Sequence, residues 1–270
     1  MAPLLLWRGA MRARFSSLFG ALAALSLLLG AGTSDAGQYV VHIHGRGSNH
    51  WGSGPMYVDS GWQGVGVTYN ATTSTLAQAN AQLRPQLAQF CSGANSCIIV
   101  AYSNGALQLG YTQANYPEVL TNAIYAEAGG SAAGGTELLN SWTSTVGDWL
   151  GQTWPNGVDA TLTVSGARNA YNHSLSAGFN TYHLGGNTGP GNGLWWVTSG
   201  FISGNDDSVV PFHSAFGCSA SGSQKETCSK FSGHALDVWA NVSGNGKNCP
   251  NGVCGGVEHG DLDDRAAYWY

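Results

Sequence analysis

The 270-residue chain has 15 acidic and 10 basic residues, a formal net charge of −5, and only 9% of its residues are charged. An acidic chain this poor in lysine and arginine excludes a nucleic-acid-binding surface, which needs clustered positive charge to displace counterions from phosphates. Forty glycines stand beside 10 tryptophans and 11 tyrosines, so many tight loops are combined with large apolar groups to bury, which excludes an intrinsically disordered chain.

At the N-terminus Arg8, Arg12 and Arg14 flank an apolar run over residues 18–29, followed by the small-residue stretch Ser34-Asp35-Ala36. That is the order of a secretory signal: a positive region, an apolar region, a cleavage site. The apolar run is shorter than the roughly 20 residues a bilayer needs, so cleavage before Gly37 is expected rather than stable membrane insertion. No cysteine closes the apolar region, which argues against a lipid-anchored precursor. The expected organisation is a signal peptide over residues 1–36 and one domain over residues 37–270, with an extracellular destination. No linker, low-complexity segment or internal repeat divides the second part.

Six cysteines fall into three local couples: Cys91 with Cys97, Cys218 with Cys228, and Cys249 with Cys254. In an exported protein three short disulfide loops are the most economical of the connectivities that six cysteines admit. Metal binding is the rival reading, but no couple has CxxC spacing and none is accompanied by a histidine pair.

In chain order, residues 38–43 read as a buried strand that ends in His44-Gly45-Arg46-Gly47-Ser48. Residues 62–69 form the next strand. Residues 73–90 set Leu76, Ala79, Leu83, Leu87 and Phe90 on one helical face. The apolar run from Cys97 through Ile98, Ile99 and Val100 to Tyr102 then breaks on Ser103 and continues as helix-compatible sequence to about Asn115. Ser103 stands between Ala101 and Gly105. A sharp strand-to-helix turn strains the serine backbone and needs small residues two places before and after it, or strand and helix collide. Residues 122–127 and 179–184 are further strands. This alternation predicts an α/β architecture, a mostly parallel central sheet with helices on both faces. Sites in such sheets lie at the carboxyl ends of strands, where His44 to Ser48 and Ser103 fall.

A serine hydroxyl attacks poorly until an imidazole takes its proton, and the imidazole needs a carboxylate to fix its tautomer and stabilise its cation. After an apolar segment at 195–202, the stretch Gly204-Asn205-Asp206-Asp207-Ser208-Val209-Val210-Pro211 supplies an acid. Val257-Glu258-His259-Gly260-Asp261-Leu262 supplies a histidine ahead of a final helix-like stretch. The order serine, acid, histidine is that of α/β-hydrolases.

Taken together, these pieces resemble the secreted α/β-hydrolases of the bacterial lipase and esterase type. The match rests on the His-Gly-x-Gly loop at His44 to Gly47, the Ala-x-Ser-x-Gly turn, Asp207-x-Val-Val-Pro, His259, and the glycine-rich segment from Gly129 to Leu138. It runs from about Gln38 to His259 through short matching pieces. The resemblance implies a compact α/β-hydrolase fold starting at the oxyanion-loop strand. It implies Ser103 as nucleophile, His259 as general base and acid, and Asp207 as the orienting carboxylate, with Asp206 as the alternative acid. The oxyanion hole would be the backbone N–H groups of Arg46 and Asn104. No metal and no cofactor is implied.

The implied function is a carboxylic ester hydrolase of the lipase or esterase type, working as a monomer on an ester or lipid through an acyl-enzyme. Tyr102-Ser103 also resembles the cutinase elbow, which keeps a polyester depolymerase (cutin or polyhydroxyalkanoate-like) as an alternative. A catalytically silent hydrolase fold that binds lipid or glycan is the alternative from another class. Cys249 with Cys254 would brace the loop leading into His259, and Cys218 with Cys228 the segment after Asp207. His44 is expected to shape the oxyanion loop from beneath, and His50 and Trp51 to line the acyl site. His173, His183, His213 and His234 have no motif around them and are expected to be structural or solvated. Asp261 stands where some larger bacterial lipases carry a calcium-binding aspartate. Without a second ligand it reads, with Asp263 and Asp264, as a helix N-terminal charge. Residues 141–175, with Trp142, Trp149 and Trp154, are expected to form a small apolar cap.

Overall fold

Two runs of β-branched and small apolar residues build the centre of the molecule. In the computed structural model they form β1 (Gln38–Ile43) and β3 (Ser96–Tyr102). The structure describes residues 36–47, 58, 60–140, 157–173, 178–187, 198, 201–202, 206–217, 238–239, 242–244, 247–249 and 253–262. With β2 (Gln63–Gly66), β4 (Ala123–Gly129) and β5 (Asn180–Asn187), these strands lie in the order β2-β1-β3-β4-β5, every pair parallel. Beyond β5 the sheet continues through β6 (Val238–Trp239), paired at Tyr182 and His183. β9 (Val253–Gly255) also pairs with β5, from Gly185 to Asn187. β7 (Val242–Gly244) and β8 (Lys247–Cys249) make a separate antiparallel ribbon.

The register sets Ile43, Ala101, Ala128 and His183 side by side. The segments that follow them therefore leave the sheet along one edge, and this alignment gathers the site. Alternation of side chains sorts the core. Val41, Ile43, Ile99, Ala101, Ala126 and Ala128 pack in one cluster with Leu83 and Leu87 of helix α1 (Leu76–Cys91) and Leu109 of helix α2 (Asn104–Asn115). Val40, Val100 and Leu184 pack with Val257 and Leu262 of the C-terminal segment. A third cluster includes Leu107, Val158, Leu162, Val210 and Phe212.

The elements match their expected positions with physically explicable shifts. α1 starts later than the expected residue 73 because Thr75 is its cap: the Thr75 hydroxyl accepts from the Gln78 N–H at 3.3 Å, and the Gln78 side chain accepts from the Thr75 N–H at 3.0 Å. This reciprocal box satisfies two otherwise orphaned donors. The strand expected over 62–69 shortens to Gln63–Gly66. Beyond it, Asn70 Oδ1 accepts from the N–H groups of Thr72 and Thr73 and turns the chain. β4 and β5 run further than expected, into glycines whose pairing with neighbouring strands outweighs their weak strand propensity.

Cys91 and Cys97 form a disulfide, Cα to Cα 5.0 Å, that ties the end of α1 to the start of β3. Cys254 is also disulfide-bonded; Cys218, Cys228 and the side chain of Cys249 lie outside the described residues. Residues 36–270 form one compact unit. The stretch expected to be a signal peptide lies outside the described residues up to Asp35. No helix among the described residues is long and apolar enough to cross a membrane.

One buried group opposes the fold. Glu127 of β4, paired with Val100 and Tyr182, is 4% exposed, and its Oε2 has no hydrogen-bond partner among the described residues. Burial pushes its carboxyl from 4.5 up to about 9, so the native state keeps a proton that the unfolded chain releases. Stability from this group is complete below pH 4.5 and is lost as pH rises toward about 9. Glu127→Gln is expected to melt several degrees above wild type at pH 8, with the gap closing at pH 4, since about 1 kcal/mol moves Tm by roughly 2–4 °C in a domain of this size. Melting curves at both pH values check it, and a gap that does not change with pH contradicts it.

Candidate active site

Where β3 hands over to α2, Ser103 adopts φ 53° and ψ −119°, a left-sided conformation costly for any residue with a Cβ. Three backbone bonds hold it there. Its N–H donates to Gly129 O at 2.8 Å, and its carbonyl accepts from Ala106 N at 3.1 Å and Ala132 N at 3.2 Å. Gly105 is required at the next place but one: a Cβ there would sit 2.4 Å from the carbonyl oxygen of Ile43 and 2.8 Å from that of His44. The start of α2 thus rests directly on the backbone that leaves β1.

His259 occupies a short 3₁₀ turn, His259–Asp261, after β9. Its Nε2 lies 2.9 Å from Ser103 Oγ and its Nδ1 2.8 Å from Asp207 Oδ2. All three side chains are buried. The other carboxylate oxygen of Asp207 accepts from the N–H groups of Val209 at 3.0 Å and Val210 at 2.7 Å, and its backbone carbonyl accepts from the His259 N–H at 2.9 Å. With Asp207 ionised, Nδ1 carries the proton and the Nε2 lone pair faces the serine hydroxyl. Tyr102, the residue before the serine, donates its hydroxyl to the His259 carbonyl at 3.0 Å and sets its ring 5.0 Å from the imidazole. Gly130, at φ 54°, makes room: a Cβ would come within 2.9 Å of the His259 ring and 3.1 Å of Asp207 Oδ2.

Asp206 is placed differently. It makes no bond to His259, and its Oδ1 accepts from the Ser208 N–H at 2.7 Å. Burial raises its carboxyl to about 6, against the lowering effect of that bond and with help from the neighbouring charges of Asp207 and Glu137. Its service is to shape the turn that presents Asp207, a turn in which Ser208 takes φ 78°.

His44 opens the first loop. Its ring stacks on Tyr69 at 4.1 Å, and the Tyr69 hydroxyl donates to the His44 carbonyl at 2.5 Å. Arg46 follows, its guanidinium forked onto Asp159, with Nη2 2.8 Å from Oδ2 and Nε bonded to Oδ1. Asn104 opens α2 without a side-chain cap from Ser103, so its N–H belongs to the first turn, whose donors lack intrahelical partners. Arg46, Tyr102, Ser103 and His259 share the wall of a cavity of about 210 Å3. Its remaining lining is mainly apolar: Ala132, Leu138, Leu139, Leu162, Val209 and Val210.

In its fold the chain resembles a lipase of Bacillus licheniformis in its mature form, with TM-score 0.55 and 17% identity over 86% of this chain and 88% of that one. A metagenomic carboxyl esterase superposes with TM-score 0.52 and 15% identity over 67% of this chain, which spans 60% of the esterase's length. The chain has the α/β-hydrolase fold. No protein-family model and no curated protein matches the sequence.

Within this fold, several residues near the site had no motif to announce them. The glycine-rich turn after β4 is clamped to the acid loop: Thr136 Oγ1 donates to Val209 O at 2.6 Å, and Ser214 Oγ donates to Ser131 O at 2.9 Å. Glu137 opens α3 (Glu137–Asn140), Asp159 opens α4 (Asp159–Leu162), and Arg168 closes α5 (Val164–Asn169). His213, in α6 (Phe212–Ala215), joins Glu137 at 2.6 Å through Nε2 and Arg168 at 3.0 Å through Nδ1. This histidine is therefore structural, as is His173, whose Nε2 lies 3.0 Å from the Ala167 carbonyl. His183 is buried on β5. Asp261 is exposed in the turn after His259. His50, Trp51, Trp142, Trp149, Trp154, His234, Asp263 and Asp264 lie outside the described residues.

The Nδ1–H to carboxylate bond has a direct signature. A far-downfield imidazole N–H resonance is expected in the proton NMR spectrum of the wild type, retained in Asp206→Asn and lost in Asp207→Asn and Gly130→Ala. Its loss in Asp206→Asn alone would reverse the assignment of the two aspartates.

Proposed function

We propose that the chain is a secreted carboxylic ester hydrolase of the lipase or esterase type, with residues 1–36 as its signal peptide and residues 37–270 as its catalytic domain. The observation that carries the reading is His259, bonded through one ring nitrogen to Ser103 at 2.9 Å and through the other to Asp207 at 2.8 Å. The strained serine turn, the apolar cavity beside it, and the lipase and esterase named among the solved structures of similar fold support it.

In this reading Ser103 Oγ attacks the ester carbonyl carbon as its proton passes to His259 Nε2, and Asp207 stabilises the imidazolium. The carbonyl oxygen becomes an oxyanion that accepts from the N–H groups of Arg46 and Asn104, donors fixed before the reaction begins. The tetrahedral adduct collapses with transfer of the proton from His259 to the departing alcohol, leaving an acyl-Ser103. Water then gives a proton to His259 and attacks the acyl carbon, and the carboxylic acid leaves as Ser103 regains its proton. The apolar lining from Leu138, Leu139, Leu162 and Val210 suits the hydrocarbon part of the substrate.

Hydrolysis of p-nitrophenyl esters of increasing acyl length tests the proposal. Wild type is expected to turn over and Ser103→Ala to retain none of the enzymatic rate. Asp207→Asn should lower kcat by about 10⁴-fold because it stabilises the wrong tautomer. Asp206→Asn should stay within roughly tenfold of wild type, since it touches no reacting group. A folded wild type that cleaves no ester and takes no fluorophosphonate label would replace the enzyme reading with that of a silent lipid- or glycan-binding fold. Faster turnover of polyester film than of triglyceride would assign it as a depolymerase.

A further inference from the structure

The ion pair between Arg46 and Asp159 spans 113 residues of sequence, and its arginine lines the cavity that holds Ser103. Asp159 is completely buried and the Arg46 side chain is 17% exposed. Both carboxylate oxygens are engaged by the planar guanidinium, Oδ1 by Nε and Oδ2 by Nη2. A fork of this kind is directional, because neither oxygen can keep its donor if the arginine rotates. Breaking it would take a charge-assisted bond from each oxygen of a fully buried carboxylate, so the loop that carries Arg46 is strongly discouraged from swinging away.

The anchor itself is well fixed. Gly157, at φ 48°, lies so close to the backbone of Thr73 and Ser74 that a Cβ would come within 2.4 Å of it. At the other end of α4, the Leu162 carbonyl accepts from the Thr136 N–H at 2.9 Å. On the opposite side of the loop, the His44 carbonyl is held by the Tyr69 hydroxyl, and Gly47 turns the chain at φ 79°. The peptide of Arg46 therefore sits between two fixed points, one near the strand end and one on α4.

We infer that Asp159 is a positioning residue for the oxyanion loop: through Arg46 it holds the Arg46 backbone N–H in the geometry needed to receive the developing oxyanion. The inference rests on the ester-hydrolase reading. It gives the Arg46 side chain a task separate from that of its backbone N–H, namely to join the oxyanion loop to the helix that also presents Leu162 to the cavity. The pair is neutral as a unit, so it adds no charge of its own to the site. A loosened loop would leave ground-state binding intact and weaken the interactions made only with the tetrahedral species.

The test uses the mature protein and four variants: Asp159→Asn, Arg46→Lys, the double variant Arg46→Met/Asp159→Leu, and Ser103→Ala as the blank. Two quantities are read, kcat and KM on p-nitrophenyl butyrate, and the inhibition constant of an alkyl trifluoromethyl ketone. Ser103 adds to this ketone's carbonyl carbon, the hydroxyl proton passes to His259, and an oxyanion remains in the hole.

The double variant removes both charges of the pair and is expected to fold. Its kcat should fall by about 10- to 100-fold with KM within about twofold, and its affinity for the ketone should fall by the same factor as kcat/KM. Asp159→Asn should be as impaired as the double variant or more so, because an amide cannot accept from both guanidinium nitrogens as the carboxylate does. Arg46→Lys keeps the charge but loses the fork and should fall between wild type and the double variant. A double variant with wild-type kcat and ketone affinity overturns the inference. So does a raised KM at unchanged kcat, which would make the pair a support of the cavity wall alone. Should the double variant fail to fold, Arg46→Lys decides, and wild-type kcat in that variant overturns the inference. If wild type itself neither hydrolyses the ester nor binds the ketone, the parent reading falls and this inference with it. A failure of the inference alone appears as an active wild type with an unaffected variant.

Discussion

The contact on which the site depends is backbone against backbone: the first turn of α2 lies on the carbonyls of Ile43 and His44, with no space for a side chain at Gly105. That closeness follows from the register of β1 and β3, which sets Ile43 beside Ala101 so that both strands end together. Ser103 is then forced into its positive-φ turn, and the loop from His44 to Gly47 has to pass beside it. The strain is supported by packing beneath it, where Ile99, Ala101, Leu83 and Leu87 form a fully buried cluster. An element that must hold one residue in a costly conformation needs a rigid base, and the four central parallel strands supply it.

Around that turn the acid and the histidine are brought in by different means. Asp207 comes from a loop whose own backbone donates twice to its carboxylate, so its direction is set locally. His259 depends on long-range support: its N–H bonds the Asp207 carbonyl, and Tyr102 takes its own carbonyl. The two adjacent aspartates show how environment separates like groups. Asp207 faces an imidazole and two N–H groups, whereas Asp206 is buried beside other carboxylates and rises toward neutrality. Of the two, Asp207 is the one bonded to the imidazole.

The parts of this arrangement that could be read from sequence are those whose constraint is local. Ala101, Ser103 and Gly105 announce themselves because one turn needs all three, and the stretch from Asp206 to Pro211 because its turn is built from consecutive residues. The helix from Leu76 showed through its apolar spacing, though its start was set by the Thr75–Gln78 box rather than by periodicity. Strands of two or three residues such as β6 and β9 carry too little pattern to be seen, and they exist because β5 offers them a paired edge. Asp159, Glu137 and Arg168 were invisible for another reason. Each works through a partner tens of residues away, and a lone charge in a helix reads as a solvated surface residue until the fold buries it.

In the proposed reaction Ser103, His259 and the backbone donors at Arg46 and Asn104 act on one carbonyl group. A crystal structure of the protein after reaction with an alkyl phosphonate tests this most directly. Phosphorus is expected to be bonded to Ser103 Oγ, with its alkyl chain in the cavity lined by Leu138 and Leu162 and its free oxygen about 2.7–3.1 Å from both N–H groups. Phosphorus on another residue, or an oxygen turned away from both donors, would contradict it.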